Sequence, residues 1–277
     1  MGNAQTVIFM DKAAKRKGGK MATRGSNSKV QRSRQKAPRR EARTGRPRRQ
    51  AARKQQPQDR AIARIKGAKV KESVMFDIPH YPQTEDVTSS AACAMMVLKH
   101  INNNFKFKKE SEYSIWQEAV NGSVWYGSKY GLAYALAKRG AKVSIVSNVK
   151  DEGYDRKLAV YENVNLDALT ASFNEVRDRT REMKIAEDYS PSVSLNTIKK
   201  ALSARKIPIV LIDAKVINPY LESIPHWIVV KGYDRDNFYI NDPYSDSTVT
   251  IDFDVFKSAL GYDSNYHMIV VDNIHKP

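Results

Sequence analysis

The sequence predicts an α+β domain of about 205 residues carried behind a basic N-terminal tail. Three observations predict it. Charge divides the 277 residues unevenly: positions 1–72 hold 23 Lys/Arg against 4 Asp/Glu, whereas positions 73–277 hold 24 against 26. Aromatic side chains divide the same way, with Phe9 alone before position 73 and the other 24 after it. Within the second part, segments of three-to-four apolar periodicity come first and short β-branched runs cluster later, the order of segregated helices followed by an antiparallel sheet.

The tail, residues 1–72, is expected to be disordered on its own, because so charged a segment cannot bury enough apolar surface to offset its chain entropy. Gly18, Gly19, Gly25, Pro38, Gly45, Pro47 and Pro57 interrupt it further. Its densest cations are Arg32, Arg34, Lys36, Arg39, Arg40, Arg43, Arg46, Arg48, Arg49, Arg53 and Lys54. Arginine predominates there, and a guanidinium donates two parallel hydrogen bonds to phosphate oxygens, so the expected partner is nucleic acid, with RNA ranked ahead of DNA. No aromatic ring lies among these cations, so contact is expected to follow the backbone and ignore base sequence. The plainer alternative is a solvated arm. Met1-Gly2-Asn3-Ala4-Gln5-Thr6 also fits the N-myristoylation pattern, and a membrane becomes a partner only if Gly2 is acylated.

The expected location is intracellular, cytoplasmic or within a ribonucleoprotein particle, with a virion as the alternative. The first apolar patch, residues 7–10, is too short for a secretory signal, and no run approaches the roughly 18 apolar residues of a membrane span. One cysteine excludes an internal disulfide framework and a thiolate-rich metal site. His80, His100, His267 and His275 have no ligand spacing with carboxylates, so neither metal nor cofactor is expected.

The domain, residues 73–277, opens on a helix over 90–102, where Ala92, Met95, Met96 and Lys99 recur at helical spacing and three asparagines end the run. A shorter helix over 113–120 is closed by Asn121-Gly122, and another over 131–139 by Gly140, with a strand over 142–147 after it. A long amphipathic helix is expected over 166–183, its ladder of alternating charges reading as a solvated face. A helix over 195–204 leads to a buried strand over 207–212. Strands over 226–233 and 237–241 are joined by the turn Asp234-Arg235-Asp236, and a helix over 254–260 and a strand over 267–271 finish the domain. Trp116, Trp125, Tyr126 and Tyr130 are candidates either for a groove or for the core.

Nucleophilic acyl transfer needs a thiol or hydroxyl at a helix start, an imidazole base, a group to orient the base, and an oxyanion donor. Ile78-Pro79-His80-Tyr81-Pro82-Gln83-Thr84-Glu85-Asp86 runs into the small-residue helix start Ser89-Ser90-Ala91-Ala92-Cys93. Downstream stand His226-Trp227-Ile228-Val229-Val230-Lys231-Gly232-Tyr233 and Asn241-Asp242-Pro243. These three blocks, in this order over about residues 74–272, resemble the bacteriocin-processing (double-glycine) cysteine peptidases, a papain-fold family. The resemblance implies a papain-like fold, with Gln83 at the oxyanion-hole position, His226 as base and Asp242 as its orienter. It places Ser89 where the family carries its nucleophilic cysteine, and Cys93 at a structural small-residue position one turn into the helix.

The departure covers two residues, because Ser90 also replaces the glycine that follows the nucleophile in the family. Two adjacent changes point to natural decay of the site. A hydroxyl is far less acidic than a thiol, and a site built around a thiolate–imidazolium pair does not activate serine by itself. The expectation is therefore a catalytically inactive pseudopeptidase, not an enzyme. It would act as a structural or interaction component, with other proteins, of a large nucleic-acid assembly such as a ribosome-like particle or virion core. An active hydrolase using Ser89, His226 and Asp242, and an N-myristoylated membrane-tethered protein, remain open as alternatives.

Overall fold

A computed structural model describes residues 57–121, 124–150, 156–158, 163–190 and 192–274. Helix α1 (Pro57–Gly67) leads to the short strand β1 (Val74–Met75) and then to helices α2 (Ser89–Ile101) and α3 (Lys109–Ala119). A small hairpin, β2 (Val120–Asn121) and β3 (Val124–Gly127), precedes helix α4 (Lys129–Lys138) and strand β4 (Val143–Ser147). Helix α5 (Leu166–Glu182), strand β5 (Ala186–Asp188), helix α6 (Leu195–Ser203) and strand β6 (Lys206–Asp213) follow. The chain continues through the single turn α7 (Ala214–Ile217), strands β7 (Pro225–Tyr233), β8 (Asn237–Asn241) and β9 (Thr248–Asp252), helix α8 (Phe253–Ala259) and strand β10 (His267–Asp272).

Capping chemistry places several of these starts. Ser128, Asn165 and Ser194 each accept hydrogen bonds from backbone N–H groups two or three residues on, which fixes the first turns of α4, α5 and α6. Helix α3 begins four residues before its sequence-based expectation. Its buried face is Glu112, Ile115 and Ala119, and a carboxylate on the inward face hides the first turn from any count of apolar spacing.

Eight strands form one sheet in the order β5-β4-β10-β6-β7-β8-β9, with β1 pairing the far end of β7. All pairs are antiparallel except β4 with β5, so the sheet is mixed where the sequence predicts an antiparallel one. The parallel pair needs the crossover that α5 supplies between its two strands. Alternation along the central strands sorts the core into two layers. Ile207, Ile209, Leu211, Trp227, Val229, Ile269 and Val271 pack with α2, α3 and α4. Val210, Ile212, Ile228, Val230, Met268 and Val270 pack with α6 and α8. A sheet covered on both faces explains why β6, β7 and β10 read as nearly unbroken apolar runs.

The sequence places the tail boundary at residue 72. Helix α1 lies before it, buries Ile62, packs Ile65 into the second layer and pairs Lys66 with Asp188 at 2.8 Å. Two isoleucines three residues apart cover one helical face, enough to dock a helix on an existing core though too few to stand out in a basic segment. Gly232 marks a close approach, since a Cβ there would sit 2.5 Å from the Val74 carbonyl oxygen on the paired strand β1.

Candidate active site

Helix α2 begins at Ser89, and its first intrahelical bond runs from the Ala92 N–H to the Thr88 carbonyl. Thr88 does not cap it. Its hydroxyl lies 2.6 Å from a carboxylate oxygen of Glu112 instead. The N–H groups of the first turn therefore have no intrahelical or side-chain cap, the condition under which a helix start favours negative charge. Ser89 Oγ accepts a hydrogen bond of 3.3 Å from the Trp227 N–H, and Cys93 Sγ, one turn later, donates to the Trp227 carbonyl at 3.2 Å. Both polar groups of one β7 residue thus hold the same face of α2. Burial and then the Asp242 carboxylate push the Cys93 thiol well above its ordinary range, so it is a core thiol and not a nucleophile.

Strand β7 carries His226 near its start, and β8 ends where Asp242 begins the following turn. The register Val229↔Asn241 sets Asp242 diagonally across from His226, within side-chain reach. His226 Nε2 and Asp242 Oδ1 lie 2.7 Å apart, and both residues are buried. Burial opposes ionisation of Asp242. The His226 hydrogen bond and charge, together with the Tyr244 N–H bond, outweigh it and hold the carboxyl below its usual range. The ring of Tyr244 covers His226, with centroids 4.9 Å apart and planes tilted by 32°.

The segment before α2 is tied to the turn after β8. Gln83 N–H donates to the Pro243 carbonyl at 3.0 Å, the Tyr244 hydroxyl to the Asp86 carbonyl at 3.1 Å, and His80 Nε2 lies 3.0 Å from the Asp242 carbonyl oxygen. From the other side, fully buried Glu112 accepts from the Tyr81 hydroxyl at 3.0 Å, the Thr84 N–H at 2.9 Å and Thr88. Burial and then Glu112 push the Tyr81 phenol up to about 12. Glu112, Tyr81, His80, Tyr244 and the Trp227 backbone are the site's supports that sequence reasoning missed. His80 and Tyr81 border the Gln83 motif and so had a positional signal. Glu112 had none.

Of the four residues predicted to form a catalytic group, His226 and Asp242 pair directly, whereas Ser89 bonds the backbone of Trp227, next to His226, and Gln83 that of Pro243, next to Asp242. Among the described hydrogen bonds, Ser89 Oγ pairs with the Trp227 N–H and not with His226. Gln83 lies beside the helix start, but its Nε2 donates to the Glu85 carbonyl at 2.9 Å, and its buried Oε1 has no hydrogen-bond partner. Ser90 Oγ is likewise buried without one, and it fills the space that a side chain at Gly127 would need. Tyr130 is a core residue, whereas Trp116 and exposed Trp125 line a pocket of about 300 Å³ with Tyr113, Glu85, Val87 and Thr88. Among the described residues no three His, Cys, Asp or Glu side chains group as metal ligands. The cations at positions 32–54 and Gly2 lie outside the described residues.

A family model described as "Peptidase_C39 like family" matches residues 78–266. Among solved structures, a crystal structure named for a C39-like peptidase from Bacillus anthracis aligns with a TM-score of 0.40 and 14% identity, covering 74% of this chain and 100% of that one. No curated protein matches. The family match spans more than half of the sequence and contains Gln83, Ser89, His226 and Asp242. The chain belongs to the Peptidase_C39 like family.

Proposed function

We propose that this member of the Peptidase_C39 like family is a catalytically silent domain that keeps the family's cleft as a binding site and is carried on nucleic acid by its basic tail. One observation carries the silent reading. The hydroxyl of Ser89 is hydrogen-bonded to a strand N–H at 3.3 Å, while His226 bonds to Asp242. A serine becomes a nucleophile only when a base takes its proton as it attacks, and that contact is the one not made. In this reading the His226–Asp242 pair holds the turn after β8 to the start of β7, a buried and satisfied polar pair.

The tail supports the second half of the proposal through charge alone. Twenty-three cations against four carboxylates in 72 residues would release many condensed counterions from a nucleic acid, so binding would be tight at low salt and weaken steeply as salt rises. The domain beyond it is nearly neutral, which suits a passenger in a large assembly more than a second nucleic-acid module.

A second reading has its own support in the short His226–Asp242 contact, which would orient an imidazole for catalysis. In that case Ser89 would pass its proton to His226 as Oγ bonded to the substrate carbonyl carbon, His226 would return that proton to the leaving amine as the C–N bond broke, and water would then hydrolyse the acyl-serine. A serine-reactive fluorophosphonate probe separates the two readings. The silent reading expects no labelling of the purified, folded chain. Labelling that disappears in Ser89→Ala would establish the hydrolase instead. For the tail, the chain in its native lysate is expected to sediment with a large particle and return to the light fractions after ribonuclease. Release by deoxyribonuclease alone would assign the tail to DNA, and light sedimentation before any nuclease would overturn the assembly role.

A further inference from the structure

The pocket of about 300 Å³ beside the start of α2 is lined by the carboxylate of Glu85, the rings of Tyr113, Trp116 and Trp125, and Val87 and Thr88. Thr88 immediately precedes Ser89, so the pocket adjoins the helix start that carries the candidate site. Trp125 is 60% exposed on β3, an unusual place for so large an apolar ring. Trp116 Nε1 donates to the Trp125 carbonyl at 2.9 Å, which fixes one aromatic wall to the other. Two features distinguish this pocket from an ordinary apolar dimple. It contains a carboxylate, and the fold has already laid a cation against it. Lys109 Nζ lies 3.1 Å from Glu85 Oε1 and 5.5 Å from the centroid of the Tyr113 ring. The Tyr113 hydroxyl also donates to Glu85 Oε1, at 2.8 Å.

We infer that this pocket is a subsite for a cationic side chain, arginine first, of an extended peptide lying along the cleft, and that Lys109 is its internal competitor. Aromatic rings attract cations over their faces, and a planar guanidinium stacks on indole while its N–H groups reach a carboxylate. The Lys109–Glu85 pair is solvent-exposed on both sides, with side chains 54% and 47% accessible, so it is weak and exchangeable. An incoming arginine would replace one cation by another on Glu85 and add contact with Trp116 and Trp125. The assignment rests on the cleft being a peptide-binding site; it does not depend on whether Ser89 turns a peptide over.

Two of the three tryptophans line the pocket and the third, Trp227, is buried, so intrinsic fluorescence reports occupancy. The experiment titrates the full chain at about 0.15 M salt with acetyl-Ala-Ala-Arg-Ala-Ala-amide and with the same peptide carrying norleucine. The arginine peptide is expected to bind about three- to fivefold more tightly, the worth of an exposed cation–π contact, since its ion pair with Glu85 takes the place of the Lys109 one. Glu85→Gln and Trp125→Ala are each expected to remove most of that preference. Lys109→Met is expected to tighten the arginine peptide several-fold. All three positions are exposed, and near-ultraviolet circular dichroism checks their folding.

Equal binding of the norleucine peptide, an unchanged preference in Glu85→Gln, or weaker arginine binding in Lys109→Met would each overturn the assignment. Mass spectrometry of the bound peptides separates this outcome from the fate of the silent reading. Cleavage of the arginine peptide but not of the norleucine peptide supports the subsite and refutes the silent domain. Loss of the arginine preference with both peptides intact refutes the subsite alone.

Discussion

Replacing Glu112 is expected to loosen the whole segment that leads into α2. Its carboxylate is fully buried and holds the Tyr81 hydroxyl, the Thr84 N–H and the Thr88 hydroxyl at 3.0, 2.9 and 2.6 Å. A hydrogen bond to a charged group contributes about 1.5–3 kcal/mol, and a donor left buried without a partner costs about 1–3 kcal/mol. The three donors differ in what they recover. Thr88 can turn its hydroxyl fully to the Glu85 carbonyl, already 2.9 Å away, and Tyr81 and Thr84 sit near enough to the surface to find water. The expected net loss for Glu112→Ala is therefore about 3 kcal/mol, or about 6–12 °C in Tm for a domain of this size. Glu112→Gln keeps one carbonyl oxygen for Thr84 and Thr88 and offers its amide to the Tyr81 oxygen, so about 1 kcal/mol is expected. Urea unfolding followed by tryptophan fluorescence measures both. An alanine variant within 1 kcal/mol of wild type, or a glutamine variant as damaged as the alanine one, would refute the reasoning.

Four other outcomes are expected. Ser90→Ala, which removes a buried hydroxyl without a partner, should raise stability by about 1 kcal/mol in the same unfolding assay. Gly127→Ala should lose about 1–3 kcal/mol, because its Cβ would meet Ser90 Oγ at 2.1 Å and Cβ at 2.5 Å, and Ser90→Gly in the same chain should recover most of that loss. His267 is fully buried, and burial followed by the charge of Lys129 holds its imidazole well below the ordinary value of about 6.5. The unfolded chain then binds a proton that the folded one refuses. Stability is full above pH 6.5 and declines as pH falls below it, and His267→Asn should flatten that slope in pH-dependent unfolding. Cys93, the single thiol, should resist a disulfide reagent in the native protein and react at once in urea, whereas fast native labelling would contradict its burial.

The elements most legible in the sequence are those whose signal is local. β8 begins and ends where alternation and the Asp234–Asp236 turn place it, and α5, α6 and β6 agree with expectation to within a residue at each end. The hidden ones depend on partners distant in sequence. β5 is three residues that pair with β4 alone among the described strands, and β1 exists because Gly232 lets Val74 approach β7. Helix α1 is held by a core made almost wholly of later residues. At the site, His226 and Asp242 were readable because a short hairpin separates them. Glu112 was not, because a carboxylate can be buried there only when Tyr81, Thr84 and Thr88, some 24 to 31 residues away, supply its donors. Lys109 and Glu85 show the same dependence, since neither residue alone signals the aromatic pocket that joins them.

The place of β10 in the sheet sets the order in which this protein can be made. That strand, the last in the described sequence, lies between β4 and β6 and provides the connection from the β5–β4 side to the β6–β9 side. On a ribosome, every other strand would have left the exit tunnel while the seam in the middle of the sheet still stood open, with Ile145 and Ile209 waiting for Ile269. At typical elongation rates of about 5–20 residues per second, several seconds separate the emergence of β4 from that of β10. A chaperone would meet an incomplete domain throughout that interval. Deleting residues 266–277 would leave two half-sheets and no domain, whereas the candidate site, assembled from residues 78–245, would still have every residue it needs and no finished scaffold on which to hold them.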